Sequence, residues 1–222
     1  TQAELPEGVA RLSADRTDPS QVRTALKGAS FDAAFDISGY TPSSLQPVIE
    51  SLDGRVGHFA FCSTTLVYAP SDTMPIEEDS PLYRSPDASQ YSRDKILCED
   101  ALMEAFDRRG FPTTILRPSY VYGPDNYIQA REFSYFMRLT HRRQIIMPGD
   151  GNALIHPIHV DDLSAAFAAT AGRSHTLGQA YTTCGPEAIT ANGYVRVIGE
   201  AMRVVPEIAH AAPSDYLALP SE

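Results

Sequence analysis

Tyr91 and Lys95 stand four residues apart, in the run Tyr91-Ser92-Arg93-Asp94-Lys95, at the start of a long helical pattern. Residues at that spacing share one helix face, so a phenol and an ammonium can act on the same substrate. Tyrosine alone is a poor acid or base at neutral pH, with an ordinary pKa of about 10. A neighbouring positive charge favours the phenolate and lets the hydroxyl move a proton to or from an alcohol oxygen. A solvated helix pair would account for the same spacing, since the chain has 11 tyrosines to place. The segments around the pair decide between the two readings.

Upstream, Phe59-Ala60-Phe61-Cys62 runs into Ser63-Thr64-Thr65, and residues 55–62 read as an apolar central strand buried on both faces. Its hydroxyl residues then lie at the carboxyl end, where open α/β sheets place ligands. Downstream, residues 114–117 read as a second strand that ends in Pro118-Ser119-Tyr120-Val121 and a Tyr122-Gly123-Pro124 turn. Between them a helix over about 89–109 carries Tyr91 and Lys95, with Glu99, Asp100 and Glu104 suited to an outer face.

The rest of the chain alternates in the same way. Residues 9–12 read as a short strand, Asp18 caps a helix to about Lys27, and residues 31–37 form another strand. That strand passes through Ile37-Ser38-Gly39 into a helix over 40–52, with Pro42 near its first turn. Residues 69–89, rich in Pro, Asp, Ser and Glu, read as a surface loop. An arginine-rich helical segment over 131–143 offers Arg131, Arg138, Arg142 and Arg143 to a phosphate or carboxylate, with Phe133, Phe136, Met137 and Leu139 as its apolar contacts. His156 and His159 sit three apart in an extended run and point to opposite faces, so no metal site is expected; Asp161 or Asp162 would cap the helix that follows, through Ala171. A strand over 179–183, a Gly185-Pro186 turn and a helix over 190–204 complete the pattern.

In order, four motifs resemble the extended short-chain dehydrogenase/reductases, which include the nucleotide-sugar epimerases and dehydratases. They are the Ser63-Thr64 strand end, the Tyr91 to Lys95 pair, Leu116-Arg117-Pro118 through Tyr122-Gly123-Pro124, and Gly149-Asp150-Gly151 followed by His159-Val160-Asp161-Asp162-Leu163. The resemblance covers nearly the whole chain. It implies a doubly wound, Rossmann-like parallel sheet with a small C-terminal substrate-binding region, the dinucleotide-binding core taking 1–124 and 156–171 and the substrate region 125–155 and 172–222. It also implies hydride transfer with NAD or NADP on a sugar or related hydroxy or keto substrate, nucleotide sugars included. Thr64, Tyr91 and Lys95 would be catalytic. Asp15, Arg16, Ile37, Ser38, Gly39, Cys62, Ser63, Pro118, Ser119, Tyr120 and Val121 would join Tyr91 and Lys95 around the cofactor. A homodimer is expected from the family's usual helix pairing.

Several positions depart from that pattern. No glycine-rich dinucleotide turn is found, so an upstream β-α-β unit of at least about 30 residues is expected beyond this sequence. Thr65 and Leu66 stand where the family's 4,6-dehydratases carry an acid pair, which points toward epimerase or reductase chemistry. Near Ile155 the diphosphate-binding arginine of many nucleotide-sugar enzymes is missing, and no asparagine appears in the 40–52 helix. These departures keep open a second reading, a non-catalytic nucleotide-binding or RNA-associated scaffold of the same fold.

Composition sets the outer limits. A formal net charge of -10 argues against a general nucleic-acid binder, and no apolar run approaches a membrane span. Cys62, Cys98 and Cys184 show neither pair nor metal spacing and read as reduced residues of a cytoplasmic protein.

Overall fold

A computed structural model describes residues 5–126 and 132–217. In chain order the elements are α1 (Pro19–Ala25), β1 (Ala34–Asp36), α2 (Pro42–Leu52), β2 (Phe59–Cys62), α3 (Gln90–Arg109), β3 (Thr113–Pro118), β4 (Tyr120–Tyr122), α4 (Ser134–Thr140) and β5 (Ile145–Pro148). They continue with β6 (Leu154–Ile155), β7 (Pro157–His159), α5 (Val160–Thr170), β8 (Gln179–Thr183), β9 (Ile189–Thr190), α6 (Ala191–Met202), β10 (Ile208–Ala211) and α7 (Pro213–Leu217). Two compact units result, Thr1–Arg117 with Phe167–Thr182, and Pro118–Ala166 with Thr183–Glu222.

The first unit is built on a sheet of order β1-β2-β3-β8, with β1 and β3 both parallel to β2. Leu45, Ile49 and Leu52 of α2, with Cys98, Leu102 and Ala105 of α3, close over Phe59, Phe61 and Ile115 of the strands. Local signals set both helices. Thr41 caps α2 by accepting from the Ser44 N–H with Pro42 in the first turn, and Ser89 caps α3 by accepting from the Ser92 N–H. Gly110 ends α3 at φ 67°, a left-handed conformation that glycine adopts without a Cβ penalty.

Residues 9–12 form no strand. Val9 and Leu12 are 53% and 60% exposed, and the Val9 N–H bonds the Pro6 carbonyl in a local turn, whereas a strand forms only where a neighbouring strand takes the backbone groups. Glu99 is buried rather than on an outer face, because Arg117 of β3 neutralises it.

In the second unit, β4 pairs with β7 and β5 with β10, both parallel, while β6 pairs antiparallel with β9. Leu139, Ile145, Met147, Tyr194, Val195 and Ile198 form its core. Of the apolar residues expected to anchor the arginine-rich segment, only Leu139 is buried; Phe133, Phe136 and Met137 are exposed, because one stripe of a seven-residue helix faces the core. Arg131 lies outside the described residues. Asp161 and Asp162 fall inside the first turn of α5, where a carboxylate suits the positive helix end, and the His159 ring Nδ1 accepts from the Asp161 N–H instead.

Candidate active site

The buried end of Lys95 is the centre of the first unit's polar chemistry. Lys95 is 1% exposed, and its Nζ donates to the Gly39 carbonyl at 2.9 Å and the Cys62 carbonyl at 2.5 Å. Both acceptors lie at the carboxyl ends of the sheet, one just past β1 and the other closing β2. Aromatic faces complete the shell: Nζ is 4.7 Å from the ring centroid of Phe61, 5.0 Å from that of Tyr40 and 5.9 Å from that of Tyr91. No carboxylate forms an ion pair with Lys95 among the described residues. Burial therefore pushes its pKa down, opposed by the nearby Cys62, Cys98 and Asp36 and reinforced by Arg16.

Tyr91 is 39% exposed and packs 6.3 Å from Tyr40, ring centroid to centroid. The expected pair thus comes together as an accessible phenol beside a buried ammonium. Thr64 is buried at the end of β2, where its Oγ1 accepts from the Leu66 N–H. That bond uses a lone pair and leaves the hydroxyl hydrogen available to a ligand oxygen.

Gly39 has its place for a spatial reason. A Cβ there would sit 2.7 Å from the Phe61 ring and 3.0 Å from Asp36 Oδ2, so no larger residue fits this turn without movement. Ser38 beside it accepts from Arg16 Nη1 at 3.2 Å and donates its N–H to Asp36 at 3.2 Å. Arg16 also forms an ion pair with buried Asp36, yet its Nε is buried without a partner among the described residues. Asp15 turns its carboxylate onto the Thr17 hydroxyl at 2.7 Å and N–H at 2.8 Å, which lowers its pKa. Ile37 is exposed, and burial raises the Cys62 thiol pKa. The Ser63 hydroxyl is committed to Glu99 Oε1 at 2.5 Å.

Glu99 belongs to a second buried charge centre. Arg117 donates from Nε at 3.1 Å and Nη2 at 2.8 Å to its two carboxylate oxygens, and from Nη1 to the Tyr68 hydroxyl and the Glu78 carbonyl, each at 3.0 Å. Sequence reasoning missed Glu99, Tyr40 and Asp36 as neighbours of the site. For Glu99 a signal existed, because it continues the four-residue spacing of Tyr91 and Lys95 along one helix face.

Pro118, Ser119, Tyr120 and Val121 belong to the second unit, where Pro118 closes β3. The expected turn over 118–121 is instead partly strand: Ser119 donates its N–H to the Thr183 carbonyl at 3.0 Å and its hydroxyl to the His156 carbonyl, and Tyr120 and Val121 then pair with β7. These backbone partners hold the segment extended.

A parallel sheet with helices packed on it, and glycine and hydroxyl turns at the carboxyl ends of β1 and β2, define a Rossmann-like α/β protein. The chain belongs to the NAD dependent epimerase/dehydratase family, whose model matches residues 3–182. Among curated relatives, the chloroplast stem-loop binding protein of 41 kDa b of Arabidopsis thaliana is 29% identical over 216 residues, covering 96% of this chain and 54% of the relative. The 2'-dehydrokanamycin reductase of Streptomyces kanamyceticus is 25% identical over 167 residues, 74% of this chain and 46% of the relative. This chain thus spans about half the length of either one. In fold it resembles an epimerase from Methanothermobacter thermautotrophicus, with a TM-score of 0.81 at 17% identity over 96% of this chain and 69% of the other. It also resembles a dTDP-glucose 4,6-dehydratase from Streptomyces venezuelae, solved with NAD bound, with a TM-score of 0.76 at 20% identity over 90% of this chain and 66% of the other.

Proposed function

We propose that the protein is an NAD(P)-dependent epimerase or reductase acting at a carbinol or keto carbon of a sugar or related substrate. The observation that carries this reading is Lys95, a buried cation held by two backbone carbonyls and aromatic faces beside an accessible tyrosine. Family membership and the NAD named with the Streptomyces venezuelae structure support a nicotinamide cofactor. The residues fit one: the Lys95 ammonium is held by replaceable backbone acceptors, and Arg16 Nε is buried without a partner among the described residues. When bound, the nicotinamide supplies the hydride acceptor or donor.

The protein's own residues handle the proton. Tyr91 takes the substrate hydroxyl proton on oxidation and returns one on reduction, the Lys95 charge favours the phenolate, and Thr64 donates to the same substrate oxygen. Lys95 would also donate to the cofactor's ribose. Epimerisation and simple reduction share this proton step; epimerisation reduces the keto form again on its other face. Thr65 and Leu66 supply no carboxylate for eliminating water, which favours these reactions over 4,6-dehydration.

Tyr91→Phe tests the reading. Turnover should fall by about 100- to 10,000-fold, with unfolding free energy changed by no more than about 1 kcal/mol, since Tyr91 is 39% exposed. Unchanged turnover would reject Tyr91 as the acid/base. A second reading, a stem-loop-binding protein that keeps the fold without the chemistry, is favoured by the Arabidopsis relative's name and its 96% coverage of this chain.

A further inference from the structure

Three arginines of the second unit converge on one cleft. Arg142, Arg143 and Arg203 line a space of about 310 Å³ with Leu139, Val204 and Glu207. The cleft lies at the amino ends of the paired strands β5 and β10, where the Ile145 N–H bonds the Glu207 carbonyl. None of the residues assigned to proton or hydride chemistry lines it.

Two features set these arginines apart from ordinary solvated ones. Arg142 and Arg203 both adopt left-handed backbone conformations, φ 50° and φ 57°, in the turns that end α4 and α6. Glycine is the usual residue in that conformation and a side chain there is strained. The attraction of a cation to a helix carboxyl end is the competing explanation, but at an exposed site it is smaller than the left-handed penalty. The second feature is charge balance. Neither Arg142 nor Arg203 has an ion pair among the described residues, and Glu207, the cleft's carboxylate, already accepts from Gln144 Nε2 at 2.8 Å. The cleft thus sets three arginines against one carboxylate, a local excess of positive charge in a chain of net charge -10. Strained residues that converge on one concavity are a functional signal rather than a folding one.

We propose that this cleft binds the phosphate or diphosphate group of a small ligand, at a site separate from Tyr91 and Lys95. Guanidinium forks match phosphate oxygens in pairs, and the apolar walls of Leu139 and Val204 suit an attached organic group. A cleft of about 310 Å³ favours a compact terminal phosphate over the backbone of a long polyanion. The inference does not depend on the enzymatic reading.

The test is calorimetric titration of the protein with pyrophosphate and with inorganic phosphate, against sodium chloride at matched ionic strength. Pyrophosphate should bind saturably. Arg142→Gly with Arg203→Gly removes two guanidinium groups while relieving the backbone, so this variant should melt at or above the wild-type temperature and bind at least about tenfold more weakly, a loss of about 1.4 kcal/mol. Val205→Glu, at a position 94% exposed, places a like charge at the rim without touching the core and should weaken binding in the same direction. Unchanged affinity in both variants would overturn the proposal. So would heats reproduced by chloride, or binding confined to an RNA hairpin with none to pyrophosphate.

Discussion

Lys95 and Arg117 are both buried cations of the first unit, and their surroundings are opposite. Arg117 is saturated, with a bidentate carboxylate, a tyrosine hydroxyl and a backbone carbonyl taking its donors. Lys95 has two carbonyls and three ring faces, and no paired carboxylate among the described residues. A buried charge whose partners are all fixed contributes to holding one arrangement of the chain. A buried charge held by neutral acceptors can exchange them for a ligand's oxygens at little cost. The contrast separates the structural cation from the one placed for chemistry.

The largest effect should come from breaking the saturated pair. Arg117→Met or Glu99→Gln leaves one buried charge uncompensated and should lower stability by about 3–5 kcal/mol in urea unfolding. The double variant Arg117→Met with Glu99→Leu should lose far less than the sum, since neither charge is then stranded. Additive losses would contradict the assignment of this pair as one unit.

Gly39→Ala sharpens the other side of the comparison. Its Cβ would press on Phe61 and Asp36, the floor beneath Lys95, and should cost about 1–3 kcal/mol, read by the same unfolding measurement. A cost near zero would mean that the turn is looser than its contacts indicate.

A smaller effect should appear in pH. His58 is buried, with Nε2 2.9 Å from Thr114 Oγ1, and burial lowers its pKa from the ordinary 6.5. Thr114 donates to the Thr176 carbonyl at 2.8 Å, so the His58 ring nitrogen is the donor toward Thr114. Between that lowered pKa and 6.5 the unfolded chain binds a proton that the folded protein does not. Stability should therefore fall as pH drops below 6.5, by at most about 1.4 kcal/mol per pH unit. Unfolding measured at a series of pH values should show this slope in wild type and lose it in His58→Gln.

Where a signal is local, the sequence carried it. The long helical run over about 89–109 was enough to place α3, and the Tyr91 to Lys95 spacing put both groups on one face. Residues 9–12 have the composition of a strand, but strand formation depends on a neighbour that the segment itself does not specify. Glu99 looked like a surface acid because nothing near it in sequence names Arg117, which lies 18 positions on and across a strand. Asp161 and Asp162 have the chemistry of a cap, but α5 begins at Val160, ahead of both, so neither can serve. The aromatic shell of Lys95 was hidden for the same reason as Glu99: Tyr40 and Phe61 come from two other turns and strands.

The central claim is that Lys95 holds its donors in reserve for a dinucleotide. Equilibrium titration of NAD and NADP into full-length wild-type protein and into Lys95→Met tests it directly. Wild type should bind at least one of the two, and Lys95→Met should bind it at least about tenfold more weakly while its unliganded stability falls by no more than about 3 kcal/mol, the cost of leaving the Gly39 and Cys62 carbonyls without their donor. Equal affinity in the two proteins, or no binding of either dinucleotide to wild type, would contradict the account.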